Sequence, residues 1–264
     1  MQSLRRRAEE VLWVLGLSRA ASPIWEMLRG GWAMRQSRLM RGFYSSLLPE
    51  SALVFDVGAN VGTMTRIFAS LGARVVAIEP NPDCARHIEL STSRDSVEVL
   101  QAAIGSTSGV GVLKVSDRKD KMSSMSREWC EAVSRNNADY VGMWRREVTV
   151  PLLTLDALIA RYGRPAYIKI DVEGYEEEAL KGLSQPIPLL SFEFNRVFLD
   201  PALRVLDEKV FEGASFNYTL VDPVKFELQK WVGRDELGAR LRDMPEGTGL
   251  GDIFVQYSVD SPPP

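Results

Sequence analysis

From residue 51 onward the chain repeats one pattern. A short apolar run is followed by a stretch whose apolar positions recur three and four residues apart. The runs at 52–57, 74–79, 97–103, 166–171 and 189–194 read as strands. The stretches 62–71, 82–92, 155–162 and 176–183 read as the helices that link them. Such alternation predicts an α/β domain, a mostly parallel twisted sheet with helices on both faces. Residues 110–115 and 148–153 read as further short strands. The charged, serine-rich stretch 116–126 reads as a loop, and 126–143 as weakly helical. A helix is expected over 203–214, with strands over 217–221 and 253–258 and a disordered tail at Pro262-Pro263-Pro264.

The first 48 residues lack this alternation. Leu4, Val11, Leu12, Val14 and Leu15 fit an amphipathic helix around Arg5-Arg6-Arg7, ended by Gly16 and Pro23. A second helix over 24–44 carries Trp25, Leu28, Trp32, Leu39 and Phe43, and the Gly30-Gly31 pair is expected to weaken or bend it. The expected organisation is an N-terminal helical arm, 1–48, ahead of one α/β domain, 49–260. Three readings compete for the arm. It covers the core or makes an oligomer contact, it lies on a membrane surface with Trp13 and Trp25 at the boundary, or it is a secretion signal. Glu9-Glu10 and a run of only VLWVLGL match the last poorly.

Composition changes the picture little: 45% hydrophobic and 25% charged residues are ordinary for a globular chain of 264 residues. Cys84 and Cys130 are the only cysteines and lack metal-ligand spacing. They are expected to be reduced thiols of a cytoplasmic protein. No apolar run is long enough to cross a membrane as a helix. Net charge is −3, but residues 1–50 hold eight arginines and four glutamates and no other charged residue, so the remainder is strongly acidic. That balance argues against nucleic acid as a partner, and leaves a basic terminal segment able to touch an anionic surface or substrate.

The candidate chemistry starts at Val54–Thr65, VFDVGANVGTMT. A buried strand, a turn of small residues and a helix start follow one another directly, so that backbone amides face a ligand at close range. The next strand, Val75–Glu79, ends in an acid about 20 residues beyond the glycines, where a carboxylate accepts from a ribose diol. Gly58 and Gly62 do not make the three-glycine dinucleotide turn, and Asp56 places a carboxylate where phosphates would sit. No G-K-[ST] follows, which excludes a Walker-type loop. The turn suits a ligand with a ribose, an adenine and a cationic or zwitterionic tail, as in S-adenosyl-L-methionine.

Further motifs stand in order: I-E-P-N at Ile78–Asn81, A-A-I-G at Ala102–Gly105, T-L-D-x-L at Thr154–Leu158, I-K-I-D-V-E-G at Ile168–Gly174 and S-F-E-F at Ser191–Phe194. With D-V-G-A-N-x-G at Asp56–Gly62 they resemble the FkbM family of S-adenosylmethionine-dependent methyltransferases over roughly residues 50–200. The resemblance implies a Rossmann-like class I methyltransferase fold. It implies that Gly58, Asn60 and Gly62 surround the amino acid part of the donor, that Glu79 holds the ribose hydroxyls, and that backbone near Gln101 and Ala102 flanks adenine. Asp56 is expected to support the same site.

Asp56, Glu79, Ala102, Asp171 and Glu193 all fall at or near carboxyl ends of expected strands, where open α/β sheets bind ligands. A hydroxyl acceptor needs its proton removed, and Asp171, Glu173 and Glu193 are the candidates. Burial would raise the Asp171 pKa, whereas pairing with Lys169 would lower it. Glu173 equally suits a helix start. Asp171 and Glu193 are too thin a set to predict a metal. His87, the only histidine, is expected on the surface. Residues 117–147 read as an acceptor-side cover offering Ser123, Ser124, Trp129, Tyr140, Trp144, Arg127, Arg145 and Arg146. The expected activity is O-methylation of a small-molecule or glycan hydroxyl on a sugar, glycolipid or secondary metabolite. Methylation of nitrogen or a carboxylate, and a non-catalytic cofactor-binding subunit that docks a partner through the arm, are the alternatives.

Overall fold

The computed structural model describes residues 22–116, 122–136, 140–220, 225–245 and 249–257. The chain divides into two compact units, Met1–Met40 and Arg41–Pro264. In the first, helix α1 (Ser22–Ser45) begins and continues unbroken through the Gly30-Gly31 pair. The helix expected around residues 4–15 and the triple-proline tail lie outside the described residues.

The second unit is built on a seven-stranded sheet. Its strands are β1 (Leu53–Val57), β2 (Arg74–Ile78), β3 (Val97–Leu100), β8 (Tyr167–Ile170), β9 (Leu189–Asn195), β10 (Ser215–Leu220) and β11 (Leu250–Gln256). Their order is β10-β11-β9-β8-β1-β2-β3. The five strands from β9 to β3 are parallel, and β11 runs antiparallel between β9 and β10. The order reverses between β1 and β8, so their carboxyl ends open a crevice. A smaller sheet, β4-β7-β5-β6, is formed by Ala103–Ile104, Arg146–Leu153, Gly109–Val115 and Ser123–Ser124.

Strand register explains the two faces. Phe55, Ile168 and Leu190 lie side by side, as do Val57, Ile170 and Phe192. With Ile253 and Val255 they form one wholly apolar face. It is covered by α5 (Leu155–Tyr162), α6 (Glu176–Leu180), α7 (Leu199–Val205) and α8 (Arg234–Arg242), through Leu158, Ala179, Leu203 and Leu237 among others. On the opposite face Tyr167, Phe68, Tyr44 and Phe254 pack ring against ring. Alternation then puts Asp56, Lys169 and Ser191 in one row, and Glu193 beside Asp252 farther along. The apolar face anchors the sheet, and the other becomes polar toward the strand ends that form the crevice.

Several elements differ from the expectation. The run 97–103 is two strands, because the Ala102 N–H turns back to the Leu100 carbonyl and Ala103–Ile104 leaves to pair with β7. Part of the expected loop 116–126 is strand β6, held to β5 by two residue pairs. The helix expected at 203–214 starts earlier, at Leu199, where Pro201 fits a first turn, and gives way to a separate 3-10 turn at Lys209–Phe211. Helix α8 has no counterpart in the sequence reading; only Leu237 and Leu241 mark its buried side chains with an apolar signal.

Candidate functional site

The turn after β1 is shaped by two close approaches. Gly58 has φ +80°, and a Cβ there would lie 1.8 Å from the Asp171 carbonyl oxygen. Only glycine lets the ends of β1 and β8 come this near. Asn60 follows with φ +50°, a left-handed conformation that asparagine tolerates. Gly62 has φ +76° and precedes α2 (Thr63–Ser70), and a Cβ there would meet the Ile88 side chain at 3.0 Å.

Glu79 closes the turn from the adjoining strand. Its Oε2 accepts from the Asn60 N–H and its Oε1 from the Asn81 N–H, each at 2.7 Å. The carboxyl is buried, and burial pushes its pKa up to about 7 against the two amide donors. Asn81 then caps α3 (Pro82–Ser91), its side chain accepting from the Asp83 N–H, with Pro82 in the first turn. One acid therefore ties the turn to the start of the next helix.

These residues border a cleft that is open to solvent. Gly58, Asn60 and Glu79 line one side; Ile78, Ala102, Ile104 and Leu113 are apolar wall; Ser123, Ser124 and Met125 cover it; Asp171, Val172, Glu173 and Tyr175 form the far rim. Of the other residues singled out from sequence, Asp56 is buried away from the cleft lining, where its Oδ2 accepts from Thr65 Oγ1 at 2.5 Å. Burial raises its pKa, opposed by Lys169 and Thr65. Gln101 is exposed and His87 is on the surface.

Lys169 is only 5% exposed, and its Nζ donates to Asp171 Oδ2 at 2.7 Å. Burial works against its charge, but Asp171, Asp252 and Asp56 together hold the ammonium well above the usual lysine range. Asp171 is the more open partner and reaches the cleft. Glu193 is not part of the cleft lining; it lines a smaller neighbouring cavity with Trp129 and Phe198. Burial, then the charges of Asp171 and Glu173, drive its pKa well above the carboxylate range.

Two residues escaped sequence reasoning. Glu176 accepts from the N–H groups of Val172 and Gly174 at 3.1 and 3.2 Å, bracing the loop behind Asp171, and burial pushes its pKa to about 7. Asp252 is buried beside Glu193. Its signal was present: a single acid inside the apolar run LGDIFVQ. In the expected acceptor-side cover, Trp129 on α4 (Arg127–Asn136) packs edge-on against Trp144 at 5.7 Å, Arg127 pairs with Glu131, and Arg146 with Asp83. Among the described residues no group of three or more His, Cys, Asp or Glu is arranged to hold a metal ion. Cys84 and Cys130 are buried and form no disulfide among the described residues, and no described helix is long and apolar enough to cross a membrane.

Residues 56–204 match the family described as the methyltransferase FkbM domain. The hexuronic acid methyltransferase AglP of Haloferax volcanii is 28% identical over 166 residues, 61% of this chain and 63% of that protein. The methyltransferase sdnD of Sordaria araneosa is 29% identical over 164 residues, 52% of this chain and 62% of that protein. The chain thus spans less than two thirds of the length of either relative. Among solved structures, precorrin-6y C5,15-methyltransferase from Geobacter metallireducens GS-15 aligns with a TM-score of 0.43 at 12% identity, covering 86% of this chain and 87% of that one.

Proposed function

Because the chain belongs to the FkbM methyltransferase family, whose methyl donor is S-adenosyl-L-methionine, we propose that it methylates a hydroxyl of a sugar, glycolipid or secondary metabolite. The observation that carries this reading is the Glu79 carboxyl, held by two backbone amides on the wall of a cleft whose far rim is Asp171.

The residues present fit the donor. Each Glu79 oxygen accepts one backbone N–H and keeps a lone pair for a ribose hydroxyl. The missing side chain at Gly58 and the left-handed Asn60 leave backbone open toward an amino acid group. Ile78, Ala102, Ile104 and Leu113 offer a flat apolar wall to adenine. When bound, the donor supplies a methyl group already activated by positively charged sulfur. Asp56, anchored to Thr65, supports this site by fixing the start of α2 beneath it.

The protein's task is then alignment, exclusion of water and removal of one proton. We assign the proton to Asp171. Lys169 holds its Oδ2, and Oδ1 makes no hydrogen bond among the described residues. Lys169 is thereby a positioning residue, and Glu173, on the same rim, is an acceptor contact. A carboxylate acceptor is the second reading, favoured by the hexuronic acid named for AglP. Against it stand the acids on and behind the rim, Asp171, Glu173, Glu176 and Glu193, which disfavour a second negative charge.

Calorimetric titration with S-adenosylmethionine and S-adenosylhomocysteine tests the reading at its base. Heat of binding from both is expected, and silence from both overturns it. Mass spectrometry of the methylated product separates a hydroxyl from a carboxylate or nitrogen acceptor.

A further inference from the structure

As it stands, the cleft is too narrow for the donor. It leaves about 80 Å³, against roughly 300–1,000 Å³ in pockets that enclose ligands of that size. Part of its wall has to move before a molecule carrying a ribose, an adenine and an amino acid group can enter.

Three sides of the cleft are fixed. In the turn after β1, Gly58 lies so near the Asp171 carbonyl that no side chain fits, and Glu79 holds two backbone amides. The apolar wall belongs to strands. Ile78 ends β2, between β1 and β3, and Ala103–Ile104 is paired with β7. The Gly105 N–H continues that pairing by donating to the Leu153 carbonyl. The far rim is braced from behind by Glu176, which takes the N–H groups of Val172 and Gly174. Trp129 presses on the same loop, so close that a Cβ on Gly174 would come within 2.4 Å of its side chain.

The fourth side is the cover, Ser123–Met125, and its attachment is slight. β6 is the edge strand of the smaller sheet and is two residues long. Its strand partners are Lys114 and Val115. Two side-chain hydrogen bonds carry it across the cleft. Asn81 Nδ2 donates to Ser123 Oγ at 3.2 Å, and Ser124 Oγ donates to the Glu173 carbonyl at 2.7 Å. The first ends beside Glu79, which holds the Asn81 N–H; the second ends on the rim that carries Asp171. The two serines are therefore a strap fastened to both walls. Neither bond involves a charge, so each contributes little net free energy, and releasing them is a modest cost.

We propose that Ser123 and Ser124 shut the cleft of the donor-free chain, and that S-adenosyl-L-methionine enters by displacing them from Asn81 and Glu173. The strap thereby sets donor affinity, because a ligand that binds only the open form has its apparent affinity reduced by the fraction of chains that are open. The assignment rests on the methyltransferase reading above and adds a conformational step to donor binding.

The test uses the full chain and S-adenosylhomocysteine, with affinity from calorimetry and association rate from surface plasmon resonance. Truncating a side chain that touches the donor, or one that only supports the fold, leaves binding weaker or unchanged. Truncating a strap that competes with the donor does the reverse. Ser123→Ala and Ser124→Ala are each expected to tighten binding about three- to tenfold and to raise the association rate by a similar factor. Ser123→Thr keeps a hydroxyl for Asn81 and is expected to bind as the unaltered chain does. Ser123 is the less buried of the two, so Ser123→Ala decides the outcome should Ser124→Ala fail to fold. Weaker or unchanged binding in Ser123→Ala overturns the strap, as does equal tightening in Ser123→Thr. Failure of the unaltered chain to bind S-adenosylhomocysteine would instead overturn the reading on which the strap rests.

Discussion

The ribose contact proposed for Glu79 makes donor binding a function of pH in a range where few carboxylates titrate. Burial lifts its pKa to about 7, yet the form that accepts hydrogen bonds from two amides and two ribose hydroxyls is the ionised one. Binding must therefore displace a proton when the pH lies below that value. The apparent Kd scales as one plus the ratio of protonated to ionised carboxyl. At pH 6 it is then about tenfold weaker than its plateau, and at pH 8 nearly at the plateau. Glu79→Gln removes the titration and adds a second penalty. Both Glu79 oxygens face N–H donors at 2.7 Å, and an amide can satisfy only one of them with its oxygen. Its NH2 is left opposing a backbone donor, at a cost of about 1–3 kcal/mol. The variant is expected to bind S-adenosylhomocysteine at least tenfold more weakly at pH 8, with a flat profile from pH 6 to 8. Isothermal titration across that range decides the matter. A flat profile in the unaltered chain, or a slope that survives in Glu79→Gln, refutes the argument.

Three further outcomes are expected. Asp171→Asn lowers turnover of an accepted hydroxyl by about 10²–10⁴ with donor affinity within twofold, as loss of a general base requires; unchanged turnover in a donor-release assay removes Asp171 from the chemistry. Lys169→Met strands Asp171, Asp56 and Asp252 without their shared cation, so chemical denaturation is expected to show a loss of about 3–5 kcal/mol, and a loss below about 1 kcal/mol contradicts the buried-pair account. Glu79 and Glu176 both have folded pKa values raised to about 7 from an ordinary 4.5. The donor-free fold binds more protons than the unfolded chain between those limits, so their contribution favours folding below about pH 4.5 and declines as pH rises through about 7. Thermal melting of Glu79→Gln/Glu176→Gln is expected to lose that decline, and an identical pH profile in the double variant refutes the assignment.

Much of the cleft wall proposed to hold the donor was legible because its geometry is local. Gly58, Asn60 and Glu79 sit within about 20 residues of one another, the reach of one strand–helix–strand unit. Short-range rules of turn geometry and strand ends apply there without knowledge of the rest. The parallel core was legible for the same reason: Val75–Ile78 is apolar on both faces, and the apolar runs Val54–Val57 and Ile168–Ile170 are broken only by Asp56 and Lys169, as expected of strands covered by helices on each side.

What stayed hidden depends on pairings between distant residues. The break after Leu100 follows from the competition of β7, some fifty residues later, for Ala103 and Ile104. The bracing role of Glu176 needs the backbone of Val172 and Gly174 to turn toward it, and its position after Gly174 reads equally well as a helix start. Asp252 was an acid in an apolar strand, which predicts a buried charge but not its neighbour; only the antiparallel insertion of β11 puts it beside Glu193. Lys169 then becomes intelligible. The sheet carries several acids on one polar face, and the buried Lys169 ammonium between Asp56, Asp171 and Asp252 lets that face fold. The lysine inside I-K-I-D thus has a structural duty, a buried ion pair with Asp171. Its charge permits a carboxylate to stand, oriented, at the mouth of a crevice already crowded with others.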